Sequence, residues 1–277
     1  MKSPKQNPFS LILICMVLLL LAQTLTGFAV VFFESGSALF SSEITFAEAD
    51  AMMLEIMYSS QTTILLISDV LILLVLWLMA FRRKQSFGEF TGLALPSRKA
   101  LMVLAAAAGL AAAFWSTIAV NMAPWPEELI ENYVTESAAL TSARPLLDFI
   151  AVVIAAPLVE ELLFRGVIYR AFSQLVPAGL AVVFQGMLFA SVHGTLIWMI
   201  YAFFMGCVLG YVRKRTDSIR PCILMHAVFN ASSYLFDLFI NRYSEDPATV
   251  NFVFLASAFV LLLSMYGISF RTGNEKA

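Results

Sequence analysis

Long apolar stretches separated by short polar segments make up most of the chain. An apolar stretch of about 20 residues is long enough to cross a bilayer as a helix. About eight such stretches can be counted, at residues 9–33, 52–81, 100–122, 146–170, 177–193, 195–212, 219–240 and 249–270. Alternation with period two over ten-residue blocks, the pattern of a transmembrane barrel, does not occur. The pattern therefore predicts an all-α, polytopic membrane helix bundle with about eight transmembrane helices.

The composition supports a membrane protein over a soluble one. Of the 277 residues, 60% are hydrophobic and only 13% are charged, and a soluble domain has too little polar surface to cover so many apolar side chains. The net charge of −2 gives no reason to expect a nucleic-acid partner. The apolar run that follows Lys2 and Lys5 continues to Phe33, which favours a retained membrane anchor over a cleaved signal peptide. Membrane lipid is thus an expected partner.

Basic residues concentrate in alternate connections between the predicted helices. In bacterial and other plasma membranes such residues mark cytoplasmic loops. In a model with eight spans, one side carries Lys2, Lys5, Arg82, Arg83, Lys84, Arg98, Lys99, Arg170, Arg213, Lys214, Arg215, Arg220, Arg271 and Lys276. We therefore expect both termini to be cytoplasmic and the 34–50 and 123–145 loops to lie outside.

A polar segment rich in turn-forming residues, SFGEFTGLALPSRK at positions 86–99, interrupts the series of predicted helices. It suggests two parts. Residues 1–98 are expected to form a two-helix membrane segment with a cytoplasmic linker. Residues 99–277 are expected to form a six-helix core.

Two glutamates and an arginine lie inside the fourth predicted helix, in the sequence LVEELLFRGVIY at 158–169. Charged side chains at membrane depth are costly unless they are paired or face a cavity. Glu161 and Arg165 are four residues apart and can pair on one face. Glu160 points about 100° away and cannot share that face. A packing role explains the pair but not Glu160, which we expect to face a cavity.

Both histidines of the chain also lie in predicted spans. Gln185, Phe189 and His193 recur every four residues and share one face of their helix. His226 and Asn230 share a face of another helix, where two hydrogen-bond donors can stabilise an oxyanion. At about 1.5 Å per residue, the depths of the polar side chains spread over about 15 Å, so the inclusion of His193 in one site depends on tilt or on a dipping loop.

The chemistry that suits these side chains is the activation of water by a glutamate. A carboxylate in a pocket of low dielectric constant can act as a general base, and a histidine can help to hold the water. Glu160, His193 and His226 could alternatively hold zinc with an open coordination position. The zinc-binding sequence HExxH is absent, so we expect no metal or other cofactor.

Three motifs carry a resemblance to a known family. EELLFR contains Glu160, Glu161 and Arg165, FASVH ends at His193, and HAVFN contains His226 and Asn230. In this order they resemble the EExxxR, FxxxH and HxxxN motifs of the CPBP intramembrane proteases, which include the type II CAAX prenyl endopeptidases and the Abi proteins. The resemblance covers about residues 100–240.

The resemblance implies an intramembrane endopeptidase whose active site opens towards the cytoplasm. It implies that Glu160 and His193 activate water, that His226 and Asn230 form the oxyanion site, and that Glu161 and Arg165 support them. The expected partner is a peptide or protein substrate, with or without a lipid modification, and the expected location is a prokaryotic cell membrane.

A protein without catalytic activity is the alternative. The family also contains members linked to bacteriocin immunity, and intramembrane acids can serve a proton-coupled transporter. Asp69, in the second predicted helix, keeps the transporter alternative open, although it could simply bond to nearby Ser68 or to Thr residues. The intact set of six polar residues argues against a degenerate scaffold.

Overall fold

The structure is a computed structural model that describes residues 7–36, 44–95, 97–139, 144–243 and 246–273, and within these ranges it contains helices and no strand. The first six α-helices are α1 Pro8–Ser35, α2 Phe46–Ser59, α3 Gln61–Arg82, α4 Phe87–Thr91, α5 Lys99–Met122 and α6 Glu127–Ala139. The next seven are α7 Pro145–Phe149, α8 Ala156–Glu161, α9 Tyr169–Phe172, α10 Ala178–Ala190, α11 Leu196–Thr216, α12 Arg220–Tyr243 and α13 Pro247–Gly273.

The predicted all-α membrane class is confirmed. Five helices among the described residues, α1, α3, α5, α11 and α13, are long and apolar enough to cross a membrane. Their outer faces carry many exposed large apolar side chains, as expected of helices that face lipid. The chain is therefore an integral membrane protein, and the count of eight spans stays a prediction.

The prediction of one helix over 52–81 was wrong. Helix α2 ends at Ser59, and α3 begins at Gln61. Ser60 lies between them, and its hydroxyl donates to both carboxylate oxygens of Glu34 at 2.8 Å. At the end of α2 the hydroxyl of Ser59 donates to the carbonyl of Ile56 at 3.2 Å. A serine side chain bonded in this way competes with the backbone hydrogen bonds of the helix, which is consistent with the break at Ser60.

The 123–145 region is more than a loop, because it contains α6. The amide of Leu129 donates to the carbonyl of Pro126 at the start of this helix. Glu127 and Glu128 occupy its first turn, where negative charge interacts favourably with the helix dipole. Helix α6 packs against α2 and α11.

Residues 145–172 form one uninterrupted helical run, which we call the composite helix. Two π-helical segments, Ile150–Ala155 and Leu162–Ile168, alternate with α7, α8 and α9 along it. Pro157 follows the first π segment. Proline has no amide hydrogen and clashes with the preceding turn, so a widened turn accommodates it without a break. Helices α3, α10, α11 and α12 pack around this run.

The segment at 86–99 is fixed to the composite helix. Helix α4 within it packs against the second π segment. A side chain at Gly166 would collide with the carbonyl of Thr91, so the close approach requires glycine. Arg170 Nη1 donates to the carbonyls of Glu89 at 3.0 Å and Phe90 at 2.9 Å. The division at residue 98 stays a prediction.

The predicted orientation can be tested by cysteine labelling of intact cells. Gln85 and Thr135 are exposed, the first on the predicted cytoplasmic side and the second on α6. We expect an impermeant thiol reagent to label Thr135→Cys and not Gln85→Cys, because the basic connections remain inside. The wild-type protein, with Cys15 and Cys222 buried, gives the background. The reverse labelling pattern would contradict the orientation.

Candidate active site

Glu161, Arg165 and His226 form a buried network. Arg165 Nη1 donates to Glu161 Oε1 at 2.8 Å, and both side chains are 0% exposed. His226 Nδ1 lies 3.0 Å from the same oxygen. Because a carboxylate accepts and does not donate, Nδ1 of His226 carries the hydrogen. Glu161 thus holds the arginine and fixes the orientation of the imidazole ring.

Glu160 differs from its neighbour in both exposure and partners. Its side chain is 24% exposed, and its Oε2 lies 3.8 Å from Nε2 of His226. Within the described part of the chain, this buried oxygen accepts no hydrogen bond. The side chain therefore keeps a free acceptor beside the histidine, as expected of a group available to a ligand.

His193 follows the end of α10. Its Nδ1 lies 2.6 Å from the carbonyl oxygen of Phe189, which can only accept. In a neutral ring the hydrogen is then on Nδ1, and Nε2 carries the lone pair. The ring also interacts electrostatically with Glu160 and His226.

Phe189 connects the polar groups. Its ring centroid lies 4.5 Å from that of His193 and 5.8 Å from that of His226. The guanidinium carbon of Arg165 lies 4.3 Å above the same ring, a distance typical of a cation–π contact. The sequence indicated the shared face of Phe189 and His193, but not the contacts with the other helices.

Asn230 is held by the composite helix. Its Nδ2 donates to the carbonyl of Val152 at 2.7 Å. Val152 lies in the first π segment, where widened turns leave carbonyl groups available to side-chain donors. The contact ties α12 to the composite helix one turn beyond His226. The oxyanion role of Asn230 stays a prediction.

Small residues bring α10 and α11 into close contact behind the site. Gly186 and Gly206 face each other so closely that a side chain on either would meet the opposite backbone. The carbonyl of Gly206 accepts from Arg165 Nη2 at 3.1 Å and from Gln185 Nε2 at 2.7 Å. This contact fixes Arg165 from the side opposite to Glu161.

The turn that carries His193 is also held by α6. Glu136 Oε2 accepts from the backbone amide of Thr195 at 3.2 Å. The rings of Tyr133 and Trp198 meet edge to face at 6.3 Å. The turn between α10 and α11 is non-helical, and such backbone is stable at membrane depth only where protein or a cavity covers it. Helix α6 provides part of that cover, which the sequence did not indicate.

Five of the six predicted residues are thus linked through direct contacts or through Phe189. Asn230 lies on the same helix as His226 and contacts the first π segment. Among the described residues, no group of three or more His, Cys, Asp or Glu side chains is arranged to hold a metal ion.

The six residues lie within a segment of recognisable similarity. Residues 142–232 match the family model described as type II CAAX prenyl endopeptidase Rce1-like. We call this segment, which is similar to that family, the Rce1-like segment. The resemblance read from the three motifs is confirmed there, and the Rce1-like segment extends from the start of the composite helix into α12.

A curated relative covers a similar portion of the chain. The UPF0177 protein YbdI of Lactococcus lactis subsp. lactis (strain IL1403) is 25% identical over 122 residues. The alignment covers 44% of this chain and 66% of that protein, so the chain spans slightly less than two thirds of this relative. No solved structure matches the chain.

Proposed function

We propose that this chain is an intramembrane endopeptidase that hydrolyses a peptide bond with a water molecule activated by Glu160. The observation that carries the proposal is Oε2 of Glu160, which accepts no hydrogen bond among the described residues, lies 3.8 Å from Nε2 of His226 and interacts electrostatically with His193. The similarity of residues 142–232 to the Rce1-like family supports a peptide substrate. The substrate we expect is a peptide or protein, with or without a lipid modification, that reaches the site within the membrane.

Glu160 and the neutral His193 can orient one water molecule. The carboxylate oxygen and the unprotonated Nε2 are both acceptors, so each can take one hydrogen of the water. The oxygen lone pair of the water then points away from both, towards a bound carbonyl carbon. Transfer of a proton to Glu160 while the oxygen attacks is general-base catalysis.

His226 can stabilise the oxyanion that forms. Its Nδ1–H is directed to Glu161; when the ring carries a hydrogen on both nitrogens, Nε2–H can donate to the developing negative charge. The tetrahedral intermediate collapses when the carbon–nitrogen bond breaks. Glu160 returns its proton to the leaving nitrogen, so the immediate products are a carboxylic acid and an amine, and the proton of the acid then passes to the amine. Arg165 holds Glu161 in place throughout through the contact at 2.8 Å.

A cleavage assay tests the proposed function. Purified protein in lipid is given a fluorescence-quenched peptide that ends in a farnesylated CAAX sequence, and the same peptide without the lipid. We expect cleavage of at least one peptide and none by Glu160→Ala. Proton-driven transport with no cleavage of either peptide would favour the transporter alternative.

Metal dependence is a separate prediction. We expect the active protein to hold no stoichiometric metal and to keep its activity in strong chelator, because Glu160 acts as the base. A zinc enzyme would lose activity on chelation and regain it with zinc. The measurement is elemental analysis of active protein beside a chelator titration. One zinc per chain that tracks activity, and that is missing from His226→Ala, would replace the metal-free mechanism.

A further inference from the structure

Asp69 is a third acid near the site, and it lies outside the Rce1-like segment. It lies in the middle of α3, which packs against α8, the short helix that carries Glu160 and Glu161. The residue is 5% exposed, and its carboxyl group interacts electrostatically with Glu160. A buried acid in an apolar helix is a functional candidate.

Ser68, the polar residue next to Asp69 on α3, does not donate a hydrogen bond to the Asp69 carboxyl group. Ser68 donates instead to the carbonyl of Ile64 at 2.7 Å and towards that of Ala22 at 3.4 Å. The sequence-based alternative of a bond between Ser68 and Asp69 is therefore not realised. Among the described residues, Asp69 Oδ2 is a buried oxygen without a hydrogen-bond partner.

Glu160 resembles Asp69 in this respect, because its buried Oε2 also lacks a hydrogen-bond partner within the described ranges. Two neighbouring carboxylates have only acceptor atoms, so neither can satisfy the other while both are ionised. Repulsion between like charges in a medium of low dielectric constant adds to the cost. One hydrogen between the two groups removes both penalties.

The other charged groups described around the two acids do not provide a hydrogen bond to either unpartnered carboxylate oxygen. Glu161 and Arg165 neutralise each other at 2.8 Å. His226 presents Nε2 to Glu160 at 3.8 Å, beyond hydrogen-bond distance. His193 interacts with Glu160, but its Nδ1 hydrogen is directed to Phe189.

We propose that Asp69 and Glu160 form a carboxyl pair that holds one proton at neutral pH, with Asp69 as the donor that positions Glu160. Protonated Asp69 then donates to the ionised Glu160, which holds the carboxylate towards the histidines and leaves it able to accept a proton from water. The catalytic part rests on the proposed function, whereas the shared proton does not. Helix α3 would thereby complete a site whose motifs all lie in the Rce1-like segment.

Substitutions at Asp69 separate this positioning role from packing. Asparagine keeps a hydrogen donor at the same place, so we expect Asp69→Asn to cleave the farnesylated CAAX peptide at close to the wild-type rate. Asp69→Ala removes the donor and should lower kcat about 10- to 100-fold with little change in KM. Ser68→Ala, at the adjacent buried position, should leave both parameters unchanged.

Infrared spectroscopy tests the shared proton without any turnover. The spectrum of wild-type protein in lipid at neutral pH should contain a protonated-carboxyl C=O band that is missing from Asp69→Asn. Absence of that difference, or a collapse of kcat in Asp69→Asn as deep as in Asp69→Ala, would overturn the carboxyl pair. Full cleavage by Glu160→Gln would instead overturn the proposed function and leave the infrared result to decide the pair.

Discussion

Replacement of Glu160 by glutamine is expected to abolish peptide cleavage while the protein stays folded in the membrane. Glutamine has nearly the same shape as glutamate but cannot accept a proton from water. Loss of a general base lowers the rate by about 10²- to 10⁴-fold. Stability should change little, because the Glu160 side chain is 24% exposed and its Oε2 accepts no hydrogen bond among the described residues.

The measurement is the turnover of the quenched peptides by purified variants in lipid. Glu131→Gln is the matched control, since Glu131 is an exposed glutamate on α6 and its loss should not affect turnover. Retention of a substantial fraction of the wild-type rate by Glu160→Gln would show that another group activates the water. Loss of activity in both variants would indicate a general effect of charge removal.

The sequence predicted the helices because apolar length and helical spacing are local properties. The predicted span at 100–122 corresponds to α5 at Lys99–Met122, and the span at 195–212 corresponds to α11 at Leu196–Thr216, which begins one residue later. Local spacing also predicted the pairing of Glu161 with Arg165, because residues four apart on a helix are neighbours whatever the rest of the fold does.

Contacts between distant segments could not be predicted in this way. The electrostatic interaction of Asp69 with Glu160 depends on the packing of α3 against α8. The contact between Asn230 and Val152 depends on a π segment. No regular spacing in the sequence reveals either contact, because each depends on which faces of two distant helices pack together.

The depth of His193 in the membrane could not be estimated from the helical rise per residue alone. The estimate of about 15 Å for the spread assumes a continuous helix at 1.5 Å per residue up to His193. Helix α10 ends at Ala190, so His193 lies in the turn after it. From there its ring packs on Phe189 at 4.5 Å between centroids. The inclusion of His193 in one site thus depends on this turn and stays a prediction.

Glu161→Gln is expected to destabilise the protein by about 3–5 kcal/mol, because it leaves the charge of buried Arg165 without its partner. Glu160→Gln should have a much smaller effect on the melting temperature. Arg165→Met should resemble Glu161→Gln, since among the described residues it leaves His226, at 3.0 Å, as the remaining partner of a buried carboxylate. The measurement is thermal unfolding of each variant in the same detergent.

The double variant Glu161→Leu/Arg165→Met provides the control for this pair. Replacing both members of a buried ion pair by apolar residues of similar size removes the unpaired charge, so the double variant should be more stable than either single variant. Because the bond from Glu161 to His226 is also lost, its activity should stay low. A double variant that simply sums the two losses would show that Glu161 and Arg165 stabilise the protein independently. A larger drop in melting temperature for Glu160→Gln than for Glu161→Gln would reverse the roles of the two glutamates.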